Sequence, residues 1–351
     1  MLLVGPRGVG KTVLLEEIAA RAAVRYGWPW LALELTGDAF AAQLLAGAGG
    51  TIDLLNQTTP SERMKLSDAT IRAGFPGVSA ELQFTRMARE PSTDTAVATA
   101  AALAQLAEAA SSRGTGVLIS IDELQLANRV EIAQFGATLQ RAMREDWPLL
   151  VVGAGLDSMR GPGRLPTYFE RADWQELGLL DDRATLSALA DPARNAGRPF
   201  DQQAARYLAE QTGGYPYAIQ LYGQQVWRAS RGSATITLEH AKAAAPAAEE
   251  QLARGLYANR WAQVSPQERE YLLAAAEEQQ ATGEISGGAV ARRLHLTAKA
   301  ASPIRARLIA KGVLSSSGRD LSFVIPGMAD YVRRVSAARP PNGARRRRRE
   351  P

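Results

Sequence analysis

Cysteine is absent from the 351 residues, which excludes disulfides and thiolate metal sites. Histidine occurs only at positions 240 and 295, too few to build a histidine metal centre. No apolar run is long enough to cross a membrane. The stretch Met1 to Val4 is too short for a signal-peptide core, and glycines and Arg7 follow at once. The body of the chain also lacks a strong excess of charge. The net charge is +5, but Ala344 to Pro351 holds five arginines and one glutamate, so the rest stands near +1. Pro340-Pro341-Asn342-Gly343 leads into that run and predicts a disordered basic tail over 338–351. Such a tail either holds nucleic acid electrostatically or is a solvated low-complexity end. What is abundant is small apolar surface. Hydrophobic residues make up 46% of the chain, enough for large cores in two or three domains. These features together predict a soluble, cytoplasmic protein with no membrane partner.

The chemistry begins at the first residues. Gly5-Pro6-Arg7-Gly8-Val9-Gly10-Lys11-Thr12 fits G-x-x-x-x-G-K-[ST] without a mismatch. Glycines at 5, 8 and 10 let the backbone wrap closely and aim N–H groups at phosphates. Lys11 supplies a point charge to the β- and γ-phosphates, and the Thr12 hydroxyl is placed to ligate Mg²⁺. Leu2-Leu3-Val4 reads as the strand before the loop, and the run from Val13 to Ile18 as the helix whose N-terminus faces the anion. The expected nucleotide-binding segment is therefore Gly5 to Val13.

A second element stands at Val117 to Gln125, a buried strand ending in Asp122 and Glu123. Behind a phosphate loop, Asp122 belongs in the Mg²⁺ shell and Glu123 polarises the attacking water. Pro29 to Leu35, Pro148 to Gly155 and Trp174 to Leu179 read as further strands of one sheet. Residues 38–55 show a helical pattern broken by Gly47, Gly49 and Gly50. Asp94 to Ser112 reads as an amphipathic crossover helix with Val97, Leu103 and Leu106 on one side. Residues 56–93 read as a decoration of the sheet, with a strand at 78–84. Arg171 is either an arginine approaching nucleotide, in its own subunit or a neighbour's, or a surface ion-pair residue. From Asp181 onward the pattern is helical, with Asp201 and Tyr215-Pro216 opening successive helices.

The order GPRGVGKT, ISIDELQ, a Gly-Ala-Gly strand end, FERADW and TGGYPYAIQLYG resembles AAA+-related P-loop ATPases of the STAND and archaeal-ATPase-like kind, relatives of origin-recognition initiators. The resemblance runs from residue 1 to about 337. It implies ATP rather than GTP, and a lid in which Pro216, with Tyr215, packs near the base. Two departures stand out. Tyr217-Ala218-Ile219 occupies the region where hydrolytic motors carry a lid arginine, and the fourth strand ends without a clear polar sensor. Both point to slow turnover and a switch. Members of this group carry residues ahead of the first strand that help enclose the base. The sequence thus predicts in-frame coding sequence upstream of Met1.

The last domain opens on Ser265-Pro266-Gln267-Glu268, a capping box. Helices are expected to about Gln280, over Ile285 to Leu294 and over Thr297 to Lys311, followed by a hairpin around 315–319. That order predicts a winged helix-turn-helix. Pro303 raises the alternative that Ser302 caps a shorter third helix. Between Ile285 and Arg319 seven basic residues occur with no acid, whereas 266–280 is acidic. Lys299, Arg305, Arg307, Lys311 and Arg319 are the expected duplex contacts. The expected architecture is an α/β P-loop ATPase core at 1–180, a helical lid at 181–250 and the winged helix at 256–337. The expected function is an ATP- and Mg²⁺-binding, slowly hydrolysing ATPase, with ATP and ADP as its ligands, that acts as a nucleotide-dependent switch on DNA or a DNA-bound complex. The alternatives are a signalling or scaffold switch docking a protein partner or another copy, and a nucleotide-binding module that hydrolyses nothing.

Overall fold

Five of the expected strands pair side by side in one direction. The computed structural model describes residues 1–36, 40–57, 93–161, 163, 165–317 and 320–338. The strand expected at 78–84, Arg319 and the arginine tail fall outside those residues. The strands are β1 (Leu2–Val4), β2 (Trp30–Glu34), β3 (Val117–Asp122), β4 (Leu149–Gly155) and β5 (Trp174–Glu176). They form a parallel sheet in the order β2-β3-β4-β1-β5. All six residues of β3 are buried, as expected when helices cover both faces of a parallel sheet.

Helix α1 (Lys11–Tyr26) lays Leu15, Ala19 and Ala22 on one face, against Leu3, Leu118 and Val152. The other face, with Val4, Ile119 and Ile121, is covered by α2 (Phe40–Gln57), α3 (Thr93–Ser112) and α4 (Arg129–Arg144). Leu44, Leu103, Leu106 and Phe135 fill that core, and Phe40 meets Phe135 edge-on at 5.0 Å between centroids.

The expected break in α2 does not occur. The helix runs through Gly47, Gly49 and Gly50 because Leu44, Ala48, Thr51 and Leu55 bury one continuous stripe. Gly47 is pressed on Leu31, where a Cβ would lie 3.1 Å from the leucine side chain. Packing outweighs the helix cost of glycine, about 1 kcal/mol per residue. Val97 also departs from expectation. It is 65% exposed, while Leu103 and Leu106 are fully buried.

Contacts divide the chain into Met1–Gly178 and Leu179–Pro351. The second unit begins with α5 (Asp182–Asn195), α6 (Gln202–Thr212), α7 (Pro216–Ala229) and α8 (Leu238–Leu252). Asp181 and Asp201 cap α5 and α6 by accepting from the N–H three residues on. Helical backbone continues from α8 through a π-turn at Ala253–Tyr257 into α9 (Ala258–Ala262). Next come α10 (Pro266–Thr282), β6 (Ile285–Ser286), α11 (Gly287–Arg293), α12 (Ala298–Ala310), β7 (Leu314–Ser317), β8 (Asp320–Phe323) and α13 (Met328–Ala337).

One expectation is corrected here and one alternative is set aside. Ile285 and Ser286 are not helical. They pair antiparallel with Leu321 and Asp320, completing a three-stranded sheet in the order β6-β8-β7. Ser302 does not cap α12 either. Thr297 does so, accepting from the Ala300 N–H at 3.3 Å, and Pro303 sits inside the helix.

Candidate nucleotide site

Because every strand of the large sheet runs the same way, the carboxyl ends of β1, β3 and β4 reach one edge. Ligands of open α/β sheets are met at that edge. The turn after β1 enters α1 through Gly10, whose φ of +92° is a left-handed value open to glycine at little cost. Lys11, only 7% exposed, folds back into the loop. Its Nζ donates to the carbonyls of Gly5 at 2.9 Å and Pro6 at 2.7 Å. Burial pulls its pKa below the ordinary lysine value, and Glu123, Asp122 and Asp157 oppose that pull.

Strand β4 separates β1 from β3, yet the two motifs meet above it. The Thr12 Oγ1 donates to Asp122 Oδ2 at 2.5 Å, and the Glu123 N–H donates to Asp122 Oδ1 at 2.8 Å. Threonine hydroxyl and carboxylate form an all-oxygen donor set. That set suits Mg²⁺, which keeps several waters and takes few protein ligands. Among the described residues no cluster of three or more His, Asp or Glu could hold another ion.

Glu123 follows at φ 52°, a left-handed conformation that turns its side chain out of the strand. Its carboxylate faces Arg7 at 4.0 Å and accepts from Gln125 Nε2. Gln125 is itself anchored, because its Oε1 accepts from the Leu156 N–H at 3.1 Å. One side-chain amide therefore ties the acidic carboxylate to the end of β4. That strand ends in glycine for a spatial reason. A Cβ on Gly155 would lie 2.6 Å from Gln125 Oε1 and 2.6 Å from Met159 Sδ. Asp157, just beyond, has its carboxyl raised by burial and by Glu176, with Arg160 and Lys11 opposing.

Gln125 was not assigned a role from the sequence. Its signal was the polar residue two places past the acid pair, opposite a strand end with no polar side chain. Removing it with Gln125→Ala is expected to lower kcat roughly tenfold with KM for ATP unchanged, the worth of one positioning hydrogen bond to a charged group. Steady-state turnover checks this, and an unchanged kcat would remove Gln125 from the site.

The other expected site residues are less concentrated. Arg171 is exposed and closes a 3₁₀ turn three residues ahead of β5. Since β5 runs parallel to β1, that turn lies level with the amino end of the sheet, opposite the edge that carries its own phosphate loop. Pro216 is the first residue of α7 and Tyr215 precedes it. Tyr215 is buried, with its ring 6.3 Å from that of Tyr217 and its hydroxyl pushed up to about 12 by burial. Both belong to the second unit.

The basic residues of that unit do not form one free face. Glu268 on α10 is 1% exposed, and it accepts from Lys311 Nζ at 2.7 Å and Arg307 Nε at 3.2 Å. Arg293 pairs with Glu278 at 2.7 Å. The acidic helix was expected to be separate from the basic face, but it neutralises part of it. Lys299 and Arg305 have no carboxylate partner among the described residues.

A parallel sheet with a phosphate loop after β1, and an Asp-Glu pair after β3 that its threonine meets, defines a P-loop nucleoside-triphosphatase fold. Residues 1–152 match a family described as AAA ATPase domain, so this part of the chain is an AAA+ P-loop ATPase core. Residues 254–332 match a domain of unknown function (DUF8462). A Walker-type ATPase of Pyrococcus abyssi superimposes with a TM-score of 0.57 at 16% identity, over 95% of this chain and 90% of that one. This likeness concerns the fold. The Holliday junction branch migration motor RuvB of Thermotoga maritima aligns at 16% identity with a TM-score of 0.43, over 94% and 86% of the two chains. Cdc6p of Pyrobaculum aerophilum aligns at 15% identity with a TM-score of 0.45, over 96% and 86%. These two superpositions are too loose to bear on function. A comparison with curated proteins finds no match. No described helix is long and apolar enough to cross a membrane.

Proposed function

We propose that the chain is a Mg²⁺-dependent ATPase of slow turnover that works as a nucleotide-dependent switch on DNA or a DNA-bound complex. The observation that carries the nucleotide half is the 2.5 Å contact of Thr12 with Asp122 beside the buried Lys11. Bound Mg²⁺ would neutralise charge on the transferred phosphate. Backbone N–H groups of Gly8 to Val13 would cradle the phosphates, and Lys11 would leave the Gly5 and Pro6 carbonyls for them. Glu123 would orient water and take its proton. The glycine end of β4 and Tyr217-Ala218-Ile219 in the lid support slow turnover. Pro216 and Tyr215 are the proposed lid contacts to the base.

Helices α10, α11 and α12 with the β6-β8-β7 sheet support reading the end of the chain as a winged helix-turn-helix. Lys299 and Arg305 then offer charge to a duplex. The neutralisation of Arg307 and Lys311 by Glu268 favours a second reading, in which this domain docks a protein. ATP turnover measured with and without duplex DNA separates the two. Lys11→Ala is expected to abolish nucleotide binding and turnover, because it removes the charge from the cradle. ATP binding by that variant equal to the parent's would refute the site. Stimulation by duplex would support the DNA reading, and indifference the protein-docking one.

A further inference from the structure

A cavity of about 480 Å³ opens among α10, α11 and α12 in the second unit, within the size range of small-ligand clefts. Tyr271 of α10, Gly287 and Gly288 of α11, and Lys299, Ser302 and Arg305 of α12 line it. No acid is among its described lining residues. Arg293, Arg307 and Lys311 are held by carboxylates of α10, whereas Lys299 and Arg305, which line the cavity, have no carboxylate partner among the described residues. Gly287 makes room for Arg305. A Cβ there would come 2.8 Å from Arg305 Nη1, so the guanidinium packs where a side chain at 287 would stand.

Tyr271 supplies a second, independent observation. Its side chain is fully buried and its hydroxyl has no hydrogen-bond partner among the described residues. A buried polar group left unmade costs about 1–3 kcal/mol, so such a group implies a missing acceptor. Tyr271 and Arg305 line the same cavity; burial pushes the Tyr271 hydroxyl up, and the Arg305 charge opposes that. Ser302 lines the same cavity and is not engaged as the cap of α12, which is Thr297.

We propose that this cavity binds a phosphate group, with Arg305 and Lys299 supplying charge and the Tyr271 and Ser302 hydroxyls supplying hydrogen bonds. Two hydroxyl donors and two cations around one cleft match the several acceptor oxygens and negative charge of a phosphate ester. The group is either a phosphodiester of a DNA backbone or a phosphomonoester. The inference rests on the DNA reading for the source of the phosphate, but not for the site.

The test uses the full chain carrying Lys11→Ala, so that the phosphate loop does not contribute. Inorganic phosphate is titrated calorimetrically and then competed with a duplex bearing 5′-hydroxyl ends and the same duplex bearing 5′-phosphates. The parent background is expected to bind phosphate saturably. Lys299→Ala/Arg305→Ala should weaken it by more than about tenfold, and Tyr271→Phe by about three- to tenfold. Tyr271→Phe keeps the ring and removes only that hydroxyl, so its thermal unfolding should be no lower than the parent's. A merely structural tyrosine would leave phosphate affinity unmoved. Competition by both duplexes assigns the site to backbone diesters, and competition by the 5′-phosphorylated duplex alone assigns it to a terminal phosphate. Phosphate binding that neither duplex displaces supports the site and removes DNA as its source. Absence of saturable phosphate binding, or binding indifferent to both variants, overturns the proposal.

Discussion

Glu123→Gln is expected to retain ATP and lose turnover by roughly 10²–10⁴-fold, the usual worth of a positioned general base. The substitution keeps the shape that meets Gln125 and Arg7 and removes the basic oxygen. Neither Lys11 nor Thr12 depends on Glu123 for its contacts, since Lys11 rests on loop carbonyls and Thr12 on Asp122. Binding of ATP should therefore be near the parent's while hydrolysis stops, which separates this variant from Lys11→Ala. Equilibrium binding together with single-turnover cleavage reads both quantities. Parent-like cleavage would leave Asp122 and the loop as a binding site without this catalytic carboxylate.

The second large effect is on stability. Glu268→Ala is expected to destabilise the second unit by about 3 kcal/mol, at the low end for opening a buried ion pair because Arg307 and Lys311 are partly solvated. Glu268 also closes the capping box of α10, accepting from the Ser265 N–H at 2.7 Å. Burial by itself would raise its carboxyl. The hydrogen bonds from Lys311, the Ser265 backbone and Arg307 outweigh that and hold it at about 2. A carboxylate depressed in the folded state contributes its full stability above the unfolded value of 4.5 and loses it as pH falls towards about 2. The parent should thus shed stability across that acid window, and Glu268→Gln should lack this portion of the pH dependence. Thermal unfolding of both proteins between neutral pH and acid provides the check. Superimposable pH profiles would show that the pairing contributes nothing measurable.

The motifs that could be read along the chain were those whose residues are neighbours in it. The phosphate loop occupies eight consecutive positions, Asp122 and Glu123 end a visibly apolar run, and caps such as Asp181, Asp201 and Ser265 act within three residues. Four strands of the parallel sheet were legible as short apolar runs bounded by turn residues; β5, Trp174-Gln175-Glu176, carries only one apolar residue. What escaped was set by distant partners. Glu268 meets cations 39 and 43 positions away, which turns a supposed boundary between acidic and basic surfaces into an internal clamp. Gln125 finds Leu156 across 31 residues. Ile285 looked helical because its pairing with Leu321 leaves no local trace. Gly47, Gly49 and Gly50 looked like breakers because the stripe that holds α2 in place is visible only against the sheet.

Strand β4 has a further consequence, since it lies between the strand that leads to the phosphate loop and the strand that ends in the acid pair. It works as a shim. Its width, about 4.8 Å of sheet spacing on each side, sets the gap that Thr12 and Asp122 must bridge. Gln125 hooks onto its far end and gauges the same gap for Glu123. A change in Val151 to Gly155 that thickens or slides the shim by a fraction of an ångström would detune the spacing while leaving every residue of both motifs in place. The tolerance of the machine is thus held in a strand that carries none of its chemistry.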